Sequence, residues 1–217
     1  LSPWGKLKED DGSYTLYPMF ADVYYSNVIA DNMLREISDK RSRIFNNLFL
    51  VIDFPFIEGL SYRLNYGLDM NYRNRGIYWP TGTVEGESVT LEDPNSSPVF
   101  GKASTLSSRR NSWTLENILH YVKEINSNNK IDFTAMVSRQ DYASSAMNAG
   151  AEGFISDDFL WHQLQAGNKQ TLSESDLEDW RLLSAMGRLN YNLMDRYLLI
   201  LTGRTDGYSA FAENNKW

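Results

Sequence analysis

The segment from Leu60 to Arg73 alternates between two kinds of side chain at every position. Its even-numbered residues are Leu, Tyr or Met, and its odd-numbered residues are polar, charged or Gly. A period of two places all apolar side chains on one face of an extended strand. Globular strands usually run about 5 or 6 residues, whereas a tilted strand needs roughly 9 to 11 to cross a bilayer. The segment therefore predicts a membrane-spanning β-strand, with tyrosines near both ends of its apolar face as interfacial girdles.

Composition limits how such a chain could meet a membrane. Only 42% of residues are hydrophobic and apolar runs are short, so no membrane-spanning helix of about 20 residues is predicted. A net charge of -7 argues against a nucleic-acid surface, and the count of 0 cysteines excludes disulfides and thiolate metal ligands. The first residues lack the basic and apolar regions of a signal peptide, and we expect Leu1 to lie inside a longer protein.

Six long strands are predicted, joined alternately by short turns and long loops. The strands are placed at residues 41–54, 60–73, 110–125, 130–142, 180–192 and 196–206. Short turns are predicted at 55–59, 126–129 and 193–195, and long loops at 1–40, 74–109 and 143–179. Short turns at one end and long loops at the other are typical of an outer-membrane barrel, with periplasmic turns and extracellular loops. The predicted fold class is therefore an all-β, antiparallel segment of a membrane barrel.

A soluble alternative remains open at this point. The strand at 41–54 is apolar on both faces near Phe49–Ile52, which predicts that its inner face is covered. A plug inside a barrel lumen would cover it, and so would the second layer of a non-catalytic soluble or surface β-sandwich that binds glycan. Single-chain bacterial barrels start at about 8 strands, and open sheet edges cannot be satisfied in lipid. On the membrane hypothesis the chain is thus a piece of a larger barrel.

The C-terminal residues resemble a stretch of the SusC/RagA-type TonB-dependent outer-membrane transporters of Bacteroidetes. In that family a Gly-Arg-Leu-Asn-Tyr strand, a basic-Tyr-Leu-Leu turn and strand, and an Arg-x-Asp-Gly segment before Phe and Trp follow one another. The matching residues here are Gly187, Arg188, Leu189, Asn190, Tyr191, Arg196, Tyr197, Leu198, Leu199, Arg204, Asp206, Gly207, Ser209, Phe211, Asn214, Asn215 and Trp217. The chain departs from the family pattern at Thr205, Tyr208, Ala210 and Ala212.

The resemblance implies a place for this chain in a larger transporter. Residues 1–217 would form part of a barrel of about 22 strands, and the N-terminal plug, the TonB box and the signal peptide would lie outside the chain. The family imports glycans or peptides across the bacterial outer membrane and is energised through TonB. Its implied partners are a SusD-like lipoprotein, outer-membrane lipid, and TonB through the missing N-terminal part. No cofactor and no nucleic-acid partner are expected.

Aromatic residues in two predicted loops are the candidate substrate contacts. Tyr78 and Trp79 lie in one loop, and Phe154 and Trp161 in the other. Sugar rings can stack on aromatic side chains in loops, where polar neighbours orient them. The alternative interpretation is that these residues pack their own loops or touch a lid or a plug.

An enzyme is not expected. His120 and His162 stand alone on a predicted strand and a predicted loop, and the chain has no GxSxG, HExxH or P-loop spacing. Carboxylates between Asp157 and Asp179 lie in Ser- and Asn-containing loops, which indicates a solvated surface rather than a glycosidase pair. Glu9–Gly12 lacks the alternating ligands of a calcium loop and predicts a turn. No catalytic residue, metal ligand or cofactor site is predicted.

Overall fold

The computed structural model describes residues 5–18, 27–88 and 99–212. The elements in chain order are α1 (Val28–Leu34), β1 (Glu36–Asp53), β2 (Leu60–Trp79), β3 (Glu87–Ser88), β4 (Val99–Phe100), β5 (Lys102–Asn126), β6 (Asn129–Glu152), β7 (Lys169–Leu193) and β8 (Tyr197–Tyr208). Six antiparallel strands form one sheet in the order β1-β2-β5-β6-β7-β8, and β3 pairs with β4 in a separate two-stranded sheet. The predicted all-β class is confirmed. None of the helices in the described ranges is long and apolar enough to cross a membrane.

The long strands extend further than the sequence pattern predicted. β5 and β7 have 25 residues each and β6 has 24, more than twice the roughly 9 to 11 that cross a bilayer. Much of the predicted long loops is therefore strand, and the loop boundaries at 1–40, 74–109 and 143–179 were wrong. Polar and small residues on both faces hide the period of two in these extensions, while backbone pairing with neighbouring strands continues regardless of side-chain polarity.

The positions predicted for the three short turns are confirmed. They connect β1 to β2, β5 to β6 and β7 to β8. In the last turn Met194 and Asp195 have φ of 55° and 53°, the left-handed conformation that suits the twist of a tight hairpin. Glu9–Gly12 also forms a turn, as predicted, because the Gly12 amide donates to the carbonyl oxygen of Glu9 at 3.1 Å.

The pairing of β7 with β8 defines two faces of the sheet. Directly opposed residues share a face, and Leu189 lies opposite Leu201 while Asn190 lies opposite Ile200. The apolar face of these strands carries Leu183, Ala185, Gly187, Leu189 and Tyr191 against Gly207, Thr205, Gly203, Leu201 and Leu199. The polar face carries Ser184, Arg188, Asn190 and Asn192 against Asp206, Thr202, Ile200 and Leu198. β7 thus alternates between the two kinds of side chain, whereas β8 is apolar on both faces near its turn.

Both edge strands expose large apolar side chains. In β1, Phe49 is 69% exposed and Leu50 52% exposed; in β8, Leu198 and Ile200 are 66% and 56% exposed. No described residue covers the inner face of β1, and the cover predicted for it stays a prediction. A sandwich would bury these residues between two sheets, but the described residues form one six-stranded sheet and a two-stranded pair.

The chain divides into two compact units. The first unit contains residues 1–41, 72–108 and 146–176, and the second contains residues 42–71, 109–145 and 177–217. Helix α1 belongs to the first unit, where the Asn27 side chain caps it by accepting from the Ala30 amide at 3.3 Å. Asp31 of α1 accepts the Val84 amide at 2.8 Å, which ties the helix to the segment after β2. The second unit holds the alternating strands and the three short turns.

Gly59→Ala tests how tightly the β1–β2 turn is fitted. Gly59 has φ +81°, and an added Cβ would lie 1.8 Å from the carbonyl oxygen of Val122. Gly12 has φ +86° but nothing within 4 Å, so Gly12→Ala reports the backbone cost alone. We expect Gly59→Ala to lower the free energy of unfolding by about 1–3 kcal/mol more than Gly12→Ala in the full-length protein. Equal thermal unfolding of the two variants would contradict the close approach.

Candidate functional site

The first unit has a buried aromatic centre, here called the aromatic core. It consists of Tyr78, Ala103, Ala151 and Phe154. Tyr78 lies one residue before the end of β2, Ala103 one residue after the start of β5 and Ala151 one residue before the end of β6. The pairing of these neighbouring strands brings the three residues together. The partly buried residues packed against it come from the loop after β6: Phe159, Leu160, Trp161, Leu164 and Ala166. The loop between β6 and β7 is thus folded onto the ends of three strands.

Tyr78 links this core to the loop by a hydrogen bond. Its side chain is fully buried, its ring meets Phe154 edge-on at 5.7 Å, and its hydroxyl donates to Asp157 Oδ1 at 2.7 Å. Burial, and then the hydrogen bond to the Asp157 carboxylate, raise the pKa of Tyr78 well above its ordinary value. The hydroxyl therefore remains protonated and donates at neutral pH. Asp157 also accepts the Thr81 amide at 3.3 Å, which joins the segment after β2 to the same carboxylate.

A glycine makes room for Trp161. A Cβ on Gly76 would lie 2.2 Å from ring atoms of Trp161, so the indole packs directly over the backbone of β2. His162 lies beside it, with ring centroids 5.2 Å apart. Sequence reasoning identified Trp161 but missed Gly76, because the need for a missing side chain appears only when two distant segments meet.

The four candidate contacts differ in accessibility. Tyr78 is 0% and Phe154 7% exposed, whereas Trp79 and Trp161 are partly exposed. Tyr78 and Trp79 lie in the last residues of β2 rather than in the predicted loop. Trp79 is outside the aromatic core, and the Lys102 ammonium lies 5.8 Å from its ring centroid. Tyr78, Phe154 and Trp161 are thus brought together, and Trp79 stands apart from them.

Side-chain contacts across the strands of the second unit identify one continuous polar face. Asn65 of β2 donates to Glu116 of β5 at 2.9 Å. His120 of β5 lies 3.1 Å from Asp132 of β6. Between β7 and β8, Arg188 donates to the hydroxyl of Thr202 at 3.3 Å. These residues alternate with the apolar ones, so the polar side chains of all these strands face the same side.

An aromatic ladder completes this polar face and was missed by sequence reasoning. Tyr142 of β6 stacks on Trp180 of β7 with ring centroids 5.1 Å apart and an angle of 14°. Trp180 contacts Tyr208 edge-on at 5.7 Å, and Tyr208 contacts Phe211 edge-on at 5.3 Å. Tyr208 lies opposite Leu182, whose spacing from Trp180 places all three on one face. The only sequence signal was the aromatic character of isolated positions.

Ion pairs and hydrogen bonds connect the side chains of the polar face. The polar face is held by ion pairs and hydrogen bonds, such as Arg43 with Asp69 through two contacts of 2.9 and 2.8 Å. Over the described ranges, no group of three His, Asp or Glu side chains is placed to hold a metal ion. The second unit thus provides a sheet with one polar and one apolar face, and the first unit provides a folded loop and partly exposed tryptophans.

The residues that carry the family resemblance gather in one hairpin. Those in β7 are Gly187, Arg188, Asn190 and Tyr191, and those in β8 are Arg204, Asp206 and Gly207. Gly187 lies opposite Gly203, and the Tyr191 hydroxyl donates to the side chain of Asn129. Phe211 follows β8 and ends the aromatic ladder, while Trp217 lies outside the described residues. The motif therefore corresponds to one structural unit, a tight hairpin with two distinct faces.

Comparison with known proteins decides between the two hypotheses. No protein-family profile matches the chain. TonB-dependent receptor P3 of Formosa agariphila is 26% identical over 208 residues, which cover 95% of this chain and 19% of that receptor. TonB-dependent receptor SusC of Bacteroides thetaiotaomicron is 27% identical over 136 residues, or 62% of this chain and 13% of SusC. The chain is similar to a segment of the SusC-type TonB-dependent receptors. The predicted family resemblance is confirmed.

Solved structures show the same fold as this chain. The RagAB peptide transporter superposes with a TM-score of 0.76 at 21% identity, covering 95% of this chain and 22% of that chain. Its 'open-open' state gives a TM-score of 0.75 over the same shares. The chain spans about a fifth of the length of the relatives that it matches.

Tyr78→Phe tests the hydrogen bond that links the aromatic core to its loop. Removing the hydroxyl should lower the local stability of residues 153–168 by about 1–2 kcal/mol, because water can replace only part of the bond to Asp157. Hydrogen exchange measured by mass spectrometry on the full-length protein would report this as faster exchange in that loop. Asp157→Asn keeps an acceptor oxygen and should cost less than half as much. Unchanged exchange in Tyr78→Phe would contradict the linking role.

Proposed function

We propose that this chain belongs to an outer-membrane transporter that imports glycans or peptides. The observation that carries this proposal is the two-faced sheet, in which long strands present apolar side chains to one side and a connected polar network to the other. The relatives support it, because their names are TonB-dependent receptor, SusC and RagAB peptide transporter. These names describe receptors and transporters, and we propose no enzymatic activity and no cofactor.

In this proposal residues 1–217 form part of the wall of a barrel of about 22 strands. The apolar face contacts lipid, because its side chains include Leu64, Val137 and Leu189 in positions that alternate with the polar network. β1 and β8 are the edges of the described sheet, so each would pair with a further strand of the same barrel. Closure by such pairing would satisfy the edge backbone groups, which lipid cannot do.

A plug domain would cover the apolar residues that lie on the polar face. Ile200 and Leu198 are on that face, opposite Asn190 and Asn192, and both are more than half exposed. Water in an open channel would leave them unfavourably hydrated, whereas a plug inside the lumen would bury them. We assign the plug and the TonB box to a part of the protein outside this chain. TonB would supply energy through that part.

We assign the loop after β6, which carries Trp161, to the extracellular side, as the family resemblance implies for the long loops. There, the partly exposed Trp79 and Trp161 are the better candidates for substrate contact, since Tyr78 and Phe154 are buried. Tyr78 and Phe154 would act indirectly by holding the loop that carries Trp161. A SusD-like lipoprotein is the proposed partner on this side, in keeping with the family.

Cell fractionation with affinity purification tests this function. We expect peptides of this chain in the outer-membrane fraction of the source cells, in a polypeptide about five times longer than the segment, as the share of its relatives indicates. Purification of the tagged full-length protein after crosslinking should recover a lipoprotein, and a tagged unrelated outer-membrane barrel is the control. Recovery only as a soluble protein of the segment's own size would contradict the proposal.

A further inference from the structure

Two arginines interrupt the apolar face of the second unit. Arg139 follows Val137 by two residues in β6, and Arg181 precedes Leu183 by two residues in β7, so each shares a face with an apolar side chain. Val137 is 52% and Leu183 40% exposed. We propose that Arg139 and Arg181 bind the phosphate of an outer-membrane lipid headgroup. The inference rests on the proposed function, because it requires this face to meet lipid.

The arginines lie at the boundary between apolar and polar side chains. On the turn side of Arg139 the apolar face of β6 carries Phe133, Ala135 and Val137. On the other side of the arginines the same faces carry mainly small or polar residues, such as Ser145 and Asp179, with Met147 and Leu177 as the large apolar exceptions. A boundary of this kind is where a headgroup meets a membrane protein.

Trp113 lies at the same boundary between apolar and polar side chains. The Arg139 guanidinium lies 5.3 Å from the Trp113 ring centroid, so Trp113 is on the apolar face beside it. Tryptophan is enriched at membrane interfaces because its ring is apolar and its N–H is polar. An Arg beside a Trp at the end of an apolar stripe is therefore suited to contact a headgroup while the stripe contacts acyl chains.

A carboxylate lies beside the two guanidinium groups. Asp141 accepts two hydrogen bonds from Arg139, at 2.9 and 2.8 Å, while its oxygen lies 3.9 Å from Arg181 Nε. One carboxylate thus faces two guanidinium groups, and the Arg181 side chain is 67% exposed. Asp141 orients Arg139, and Arg181 keeps most of its five N–H donors directed to solvent. Guanidinium groups bind phosphate through charge-assisted, often bidentate hydrogen bonds.

A surface cavity lies at the arginines. Its volume is about 320 Å³, and its lining includes Arg139, Arg181, Leu183, Gly207 and Ser209. The site thus combines cations with an adjoining apolar surface. A free phosphate would use only the cations, whereas a phosphorylated lipid would use both. This combination favours the lipid as the occupant.

The test measures lipid binding by the full-length receptor in mild detergent, using native mass spectrometry. Three probes separate the sources of phosphate: lipid A with its phosphates, lipid A without them, and inorganic phosphate. We expect Arg181→Gln to bind phosphorylated lipid A about tenfold more weakly than the unchanged receptor, the loss typical of one charge-assisted hydrogen bond. Phosphate-free lipid A should bind the two receptors equally.

Two control variants keep the test decisive. Arg188→Gln removes an arginine from the same strand on the polar face and should bind lipid as the unchanged receptor does. Arg181→Lys keeps the charge and should retain binding within about threefold, which excludes misfolding as the cause of a loss. Equal binding by Arg181→Gln, or full competition by inorganic phosphate, would overturn the lipid site. If the receptor stays in the outer membrane in that case, only this inference fails; recovery in the soluble fraction would instead overturn the proposed function.

Discussion

Backbone pairing across the sheet, combined with the alternation of side chains, is the constraint on which the structure depends. Once β7 pairs with β8 in its observed register, every residue of the hairpin is assigned to one face. A shift of one residue would move Leu189 and Tyr191 to the polar side and Arg188 and Asn190 to the apolar side. The contacts Asn65–Glu116, His120–Asp132 and Arg188–Thr202 fix the same assignment on the neighbouring strands. The chemistry of both faces follows from that register.

The two units are stabilised in different ways. The first unit has a buried aromatic core, with Tyr78 and Phe154 at its centre and Asp157 fixing the loop. The second unit buries few of its apolar side chains, and Phe49 and Leu198 are exposed on the edge strands. A sheet of this kind cannot gain its stability from burial inside the chain. In the proposed function, lipid on one face, paired strands at its edges and a plug over the apolar residues of its polar face would supply that burial.

The sequence was sufficient where side chains alternate strictly. The period of two identified β2 from Leu60 onwards, and short turn-forming segments located all three hairpin connections. It was insufficient where backbone pairing, rather than side-chain pattern, holds the strand. The extension of β6 to Glu152 runs through alanines and serines that show no alternation, and the segment was predicted as loop.

Sites formed between distant segments could not be predicted from local sequence patterns either. The stacking of Tyr142 on Trp180 and the packing of Trp161 over Gly76 join residues far apart in the chain. No local spacing of residues in the sequence predicts such contacts. Burial has the same limitation: Tyr78 and Trp79 are adjacent in sequence, yet only Tyr78 enters the aromatic core. The C-terminal motif was informative because all of its described residues belong to one hairpin and its immediate continuation.

In the proposed function, one face of this sheet contacts lipid and the other does not. Single spin labels can be introduced at successive positions of Leu60–Arg73 in the full-length protein, embedded in membranes, after replacement of any cysteine outside this chain, which itself has 0 cysteines. Electron paramagnetic resonance would measure collisions with oxygen, which concentrates in lipid, and with a water-soluble nickel complex. If the apolar face contacts lipid, we expect the oxygen collision rate to vary with a period of two along the strand and to be highest at Leu64, Tyr66 and Leu68. Low collision rates with both reagents at these positions would indicate a buried protein core and would contradict contact with lipid.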